Sequence, residues 1–382
     1  MMKFAQYSPL LLRSSMKARP FFLIPLLAAY SSSTFAQQGP TTTPQQQSHM
    51  RRAMEQNGGF MQGGMHHLVM PGVALDQKLD TATHTITLRI GPMNLPANTS
   101  HMKMPQPADL VWTVPLTGWL LSYHPHLVDA SGNPVPGTVL HHVAFWNENR
   151  SDFLCPNKEE HIFGAGGELT DWAQIPGYGY RAQKDDRIRV ETMVHNPTPS
   201  SYDKAFLQIE IRYLDDASPA PVKNFYPAWM DVGSCGNSGY DLPVGPSEKS
   251  GTVGVKYDGV LLGVGGHMHD YAQQIVLENT THKETIATLK AKTDDKGHLQ
   301  YMPVVTFYAV GGQPLAAGDQ LKITAAYDNT TGTPLRQGAM GIVVGYFVPA
   351  NDAALAPLRH ASKTPEHHMH DMKDMPNMSH DQ

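Results

Sequence analysis

Charge is scarce in this chain. Asp, Glu, Lys and Arg make up 16% of its 382 residues, the formal net charge is −5, and no run of Lys or Arg exceeds two. That excludes the basic footprint that nucleic-acid recognition requires. Cysteine is scarcer still, with only Cys155 and Cys235. Two thiols cannot build a disulfide scaffold or a cysteine-rich zinc site; one bridge between them is allowed, and sequence alone leaves it open. Long apolar runs are also missing. "FFLIPLLAAY", Phe21 to Tyr30, is too short to span a bilayer, and no other segment comes closer. Nor does any stretch hold a helical period beyond a turn or two.

Glycine (33), proline (30), histidine (20) and methionine (20) are plentiful instead. "MKAR" from Met16, the apolar run and "STFA" ending at Ala36 read as an export signal over residues 1–36, with Met16 a possible start. A periplasmic or secreted location follows, with no membrane span after cleavage. Residues 37–64, Gln/Thr/Pro-rich and then Gly/Met-rich, read as a linker. From about Met65, strand signals follow one another: "HTITLRI", "LVWTVPL", "VLHHVAFW", "RIRVETMVH" and "AFLQIEIRYL", separated by Pro, Gly, Asp and Asn. "DDASPAPVKN", Asp215 to Asn224, interrupts the pattern, and strands then resume. The expected organisation is two consecutive antiparallel β-sandwich domains, 65–215 and 225–355, joined by a linker at 216–224 and followed by a His/Met-rich tail at 356–382.

Chemistry is carried by the histidines. His141 and His142 are adjacent inside an apolar strand, where alternation sends neighbouring side chains to opposite faces, one toward the core and one out. His195 ends a strand before an Asn-Pro turn. His267 and His269, in "GGHMHD", are two apart and share one face of a strand, with Gly265 and Gly266 allowing close backbone approach or a bulge. Met340, in "RQGAMGIVVGYF", is a thioether that matters only beside a soft metal such as Cu(I). His124 and His126, in "YHPH", read as a strand end near a turn. The tail "HHMHDMKDMPNMSH" (His367 to His380) and its echoes "FMQGGMHH" (Phe60 to His67) and "HMKM" (His101 to Met104) interleave donors for both copper redox states. Such a tail could receive copper from a donor protein.

The order of a His-His pair, a lone His, an HxH pair and a Met resembles the copper type II, ascorbate-dependent monooxygenases, the family of peptidylglycine α-hydroxylating monooxygenase and dopamine β-monooxygenase. The resemblance covers roughly Thr85 to Pro349 and includes "DWAQIPGYGYR" and "VTFYAVGGQPLAAGDQLKITAAYDNTTG". It implies two jelly-roll sandwiches facing across a cleft, and two copper ions per chain. His141, His142 and His195 would hold an electron-storing copper; His267, His269 and Met340 would hold the copper at the catalytic site. The implied reaction is hydroxylation of an aliphatic C–H of a small molecule by O2, with ascorbate or another small reductant as electron donor. Gly265 stands where the peptide-amidating branch has an arginine for the substrate carboxylate, so peptidylglycine is not the expected substrate. Val143 replaces the methionine that often follows the His-His pair. The rival reading is a non-catalytic periplasmic protein that binds, buffers or delivers copper on the same fold.

Overall fold

The computed structural model describes residues 68–167, 174–218 and 222–360. The signal segment, the linker, the "FMQGGMHH" echo and the tail from His367 lie outside them. The described residues all belong to one compact unit that starts at His66.

The architecture is all-β: antiparallel sheets packed as sandwiches in a jelly-roll-like arrangement, with short 3-10 turns as the helical elements. Alternation explains the strands. In Thr85–Leu95, Ile86, Leu88 and Ile90 are fully buried, and in Tyr202–Asp215 so are Ala205, Leu207, Ile209 and Ile211. Each fully buried Ile or Leu side chain contributes about 1.5–3 kcal/mol. These two strands pair antiparallel and, with Gly118–Val128, form one wall of the first core. The opposite wall is the four-stranded sheet of Leu110–Thr113, Arg187–Val194, Leu140–Ser151 and Glu159–Gly166, which turns Trp112, Val143, Phe145 and Val190 inward.

The larger sheet does not stop at the "DDASPAPVKN" interruption. Tyr178–Ala182 pairs antiparallel with Gly118–Val128 and parallel with Lys223–Asp231. Lys223–Asp231 then pairs with Leu335–Pro349, which pairs with Gly259–Met268. A second core lies between these strands and the sheet of Gly245–Gly254, Gln320–Asn329, Ala272–Asn279 and Glu284–Lys290. Two segments from elsewhere enter that core. Phe153, Leu154 and Cys155 come from the loop after Leu140–Ser151, and Leu355 and Leu358 come from the 3-10 turn Asp352–Leu358. Cys155 and Cys235 are joined in a disulfide with Cα atoms 5.6 Å apart. Beyond the turn, Arg359 forms a two-pronged ion pair with buried Asp186, at 2.7 and 2.9 Å.

Strand parity sets where the site falls. Val143 and Phe145 face the first core, so Ala144 and Trp146 face away from it. Val264, Met268 and Val343 face the second core, so Gly265, His267 and Val344 face away from that one. Val344 and Val348 pack against the first core instead. Part of that face thus borders the first core, and part meets the other outward face, where Trp229 stands 5.5 Å from Trp146 and His269 reaches His141; the candidate site lies at that meeting. His124 and His126 sit within Gly118–Val128 opposite Glu210 and Gln208, and His124 Nε2 lies 3.1 Å from Ser122 Oγ. Their neighbours Tyr123 and Leu127 fill the first core, so that core separates both histidines from the site.

Candidate metal centre

The adjacent histidines do not divide between core and solvent. Leu140 pairs with Val194 and His142 with Met193, which leaves His141 as the extra residue of a β-bulge. The bulge cancels the alternation, both histidines are half-buried, and their Nδ1 atoms stand 3.2 Å apart. Sequence periodicity places them on opposite faces because it assumes an unbroken strand.

His141 is the hub of a ring cluster. Its imidazole makes edge-to-face contacts with His142, His195 and His269 at centroid distances of 5.3, 5.3 and 5.5 Å. His101, from the 3-10 turn His101–Lys103, is closer at 4.6 Å. His267 and His269 share a face, as their spacing predicts, with perpendicular rings 5.6 Å apart. The bulge on their strand falls at Leu262 rather than at the glycines. Gly266 serves close packing instead: a Cβ there would come within 2.8 Å of the Met302 methyl. Thus the set His141, His142 and His195 meets the pair His267 and His269 through the contact of His141 with His269.

Met340 joins through the backbone. The Tyr327 hydroxyl, inside the second core, accepts from His269 N at 2.9 Å and from Met340 N at 3.1 Å, and donates to the Met340 carbonyl. One hydroxyl therefore fixes both positions and uses its whole hydrogen-bonding capacity. Met340 pairs with Gly239 across the ladder, and its methyl lies beside that glycine.

Partners outside the cluster fix the tautomers. His142 Nε2–H donates to Glu191 Oε1 at 3.3 Å, which leaves Nδ1 as the acceptor nitrogen facing His141. His195 Nε2–H donates to the Thr138 carbonyl at 2.6 Å, so its acceptor is also Nδ1. A ring N–H of His269 bonds the Gly338 carbonyl, while its Nε2 is buried without a partner. Burial, reinforced by His142, His269, His101 and His195, holds His141 well below the usual imidazole range. Burial, with His267, His142 and His101, does the same to His269. The hydrogen bond from His142 keeps Glu191 low. His141 and His269 are thus held as neutral imidazoles, the form in which histidine binds metal.

As placed, no three His, Cys, Asp or Glu donors among the described residues stand around one point at ligating distance, because the rings meet edge to face. The residues nonetheless fit a metal in three respects. Two imidazole nitrogens on a tetrahedral ion with ~2.0 Å bonds stand roughly 3.3 Å apart, close to the 3.2 Å between His141 and His142. His269, whose ring touches those of His141 and His267, has a buried Nε2 without a partner. Met340, tied to His269 through Tyr327, adds a thioether to the imidazoles, a donor chemistry that suits copper.

Beside the cluster is an aromatic group that sequence reasoning missed. Trp146 shares a strand face with Ala144, and its ring lies 4.6 Å from that of His161. Trp229, from the other outward face, closes on His161 at 4.2 Å and on Trp146 at 5.5 Å. Burial pushes His161 down to about 3. Gly164 is required here, because a Cβ would stand 2.9 Å from the His161 ring. Glu191 was the most accessible missed residue, since it lies in "RIRVETMVH" four positions before His195. Tyr327 and His101 lie far in sequence from their partners; "HMKM" marks His101 as an echo of the His/Met-rich tail, but no local spacing places it with the other histidines.

No protein-family model matches the chain. It is 26% identical over 235 residues to the probable copper-dependent oxygenase M1 of Phoma sp., covering 56% of this chain and 58% of that protein. It is 25% identical over 237 residues to the probable copper-dependent oxygenase clz3 of Cochliobolus lunatus, covering 56% of this chain and 72% of that protein. The chain thus spans little more than half the length of the first of these curated relatives. Among solved structures, the major capsid protein of bacteriophage PM2 aligns with a TM-score of 0.29 at 10% identity, over 75% of this chain and 97% of that one. A likeness that remote says nothing of function. What the comparisons show is a distant similarity to fungal copper-dependent oxygenases.

Proposed function

We propose that this protein is an exported copper-dependent monooxygenase, related to the ascorbate-dependent type II copper family, that hydroxylates an aliphatic C–H of a small molecule. The observation that carries the reading is the convergence of His141, His142, His195, His267 and His269 at one place, with Met340 tied to His269 through Tyr327. The similarity to fungal copper-dependent oxygenases supports it. When bound, copper would supply one-electron chemistry with O2, drawing electrons from ascorbate or another small reductant. The chain's part is to hold and orient the donors. Glu191 and the Thr138 carbonyl keep His142 and His195 presenting Nδ1, and His269 presents Nε2. His267, His269 and Met340 are the proposed catalytic-site ligands.

The surroundings suit an apolar or flat substrate. Trp146, Trp229 and Val344 line the outward faces, and Gly265 places no charge opposite Val344. The disulfide agrees with an oxidising, exported compartment. Among the described residues no helix is long and apolar enough to cross a membrane.

Copper per chain and ascorbate-driven O2 consumption test the reading, on wild type and on Met340→Ile. Two tightly held coppers, one of them selectively weakened as Cu(I) by Met340→Ile, are expected. Copper retention unaffected by Met340→Ile or by His269→Ala, without O2 consumption, would instead identify a copper buffer.

A further inference from the structure

We propose that His101 is a metal-ligating residue of this centre, a donor beyond the His-His pair and the lone histidine. The inference rests on the copper reading above. Of the rings around His141, that of His101 is the nearest, at 4.6 Å and 63° to it. It also bears electrostatically on both His141 and His269, and so lies where the two histidine sets meet.

Its placement is built rather than incidental. The turn carrying His101 is docked on the strand end that carries His195. Thr99 and Asn196 exchange both backbone hydrogen bonds, each 2.8 Å. Buried Gln106 then clamps the two segments together. Its Nε2 donates to the carbonyls of His101 at 3.1 Å and Val194 at 3.0 Å, and its Oε1 accepts from Val194 N at 2.9 Å. The Asn196 side chain adds bonds to the carbonyls of Leu95 and Ser200, 2.9 and 2.8 Å. A buried amide spent on three carbonyls, that of Met104 included, and one N–H holds this turn in register with His195, so His101 and His195 reach His141 as a fixed pair. Ligand positions need that kind of support, because a ring free to rotate loses affinity.

A donor from residues 99–106 gives the centre a third chain segment in the first half, beside the bulge at His141 and the strand end at His195. Four imidazoles around one place exceed the three that the His-His pair and the lone histidine supply. The added nitrogen suits an ion that stays bound through a redox cycle without an open position.

The test uses the full chain and copper alone. His101→Phe keeps a ring edge against His141 but removes both nitrogens; His101→Ala removes the ring as well. Two quantities are read: metal-free Tm, and the rise in Tm on adding Cu(I) anaerobically or Cu(II), which reports copper held by the folded body. Chelator competition gives the affinity. The expected result is a metal-free Tm for His101→Phe close to wild type, with copper held at least about tenfold more weakly and a smaller copper-induced rise. In the Cu(II) EPR spectrum, nitrogen superhyperfine structure should change in both variants. Wild-type affinity and spectrum in His101→Phe would overturn the inference and leave the copper reading standing. No copper-induced rise in wild type would overturn both.

Discussion

Removing one oxygen atom should loosen two ligand positions together. Tyr327→Phe deletes the hydroxyl that accepts from His269 N and Met340 N and donates to the Met340 carbonyl. Tyr327 is only 2% exposed, and burial holds its phenol well above the ordinary range, so it remains a donor at every working pH. The substitution leaves two backbone N–H groups and one carbonyl without a partner. At about 1–3 kcal/mol for each unmatched group, and less where water enters, the loss is roughly 3–5 kcal/mol. For a folded unit of this size that lowers the metal-free Tm by roughly 6–12 °C. His269 and Met340 also lose their mutual register, so Cu(I) affinity should fall about tenfold. Thermal unfolding followed by near-UV circular dichroism, beside chelator competition for Cu(I), reads both. A Tm within about 1 °C of wild type would refute the hydrogen-bond reasoning. A lowered Tm with unchanged Cu(I) affinity would refute the positioning role.

Asp152 is buried, and burial raises its carboxyl to about 7. The charged form opposes folding, so stability is lost as pH rises from about 4 to 7, by up to about 4 kcal/mol at 1.36 kcal/mol per pH unit. Asp152→Asn can still accept from Leu154 N and Cys155 N and should flatten that part of a urea-unfolding pH series. His161 acts with the opposite sign. It stays neutral in the fold down to about pH 3, so the unfolded chain binds the extra proton below 6.5 and stability falls with falling pH. At pH 5 that costs about 2 kcal/mol, and His161→Gln should lose correspondingly less between pH 7.5 and 5; an unchanged acid slope would count against it. The disulfide closes a loop with a sequence separation of 80. Replacing both cysteines by serine should cost about 4.5 kcal/mol on the loop-entropy estimate, seen as a lower denaturation midpoint that reducing agent does not lower further.

The fold class was legible because alternation was. Ile86, Leu88 and Ile90 announce a half-buried strand in "HTITLRI", and the structure buries those positions. The HxH pair was legible for the same reason, since a spacing of two on an unbroken strand means one face. The His-His pair was not, because period-2 reasoning fails at a bulge, and nothing in "VLHHVAFW" marks where the ladder slips; the slip is set by Val194 and Met193 on the neighbouring strand. Cys155 and Cys235 were a permitted bridge whose formation depends on where Phe153, Leu154 and Cys155 dock. Tyr327, Glu191 and His101 follow a different rule. Each acts through a partner on another strand or turn, so its role is a property of strand order rather than of any window of sequence.

That dependence extends to the site as a whole. The ring contact between His141 and His269 joins the outward face of one sandwich to that of the other. Its stability therefore comes from what holds those faces together. Tyr178–Ala182 carries the large sheet across by pairing with Lys223–Asp231. The Cys155–Cys235 disulfide anchors the loop after Leu140–Ser151 in the second core. The Arg359–Asp186 pair and the bond from His360 N to the Asn149 carbonyl fasten the end of the described chain back onto the first half. None of these groups is a ligand, and all lie outside the histidine cluster. If the imidazoles must keep their mutual distances to bind copper, weakening these ties should reduce copper affinity with every donor intact. Arg359→Met separates the two effects. It leaves the histidines untouched and takes the paired guanidinium from the buried Asp186 carboxylate, and copper affinity measured well below the unfolding temperature should still fall. An unchanged affinity would mean that each sandwich orders its own imidazoles without help from the other.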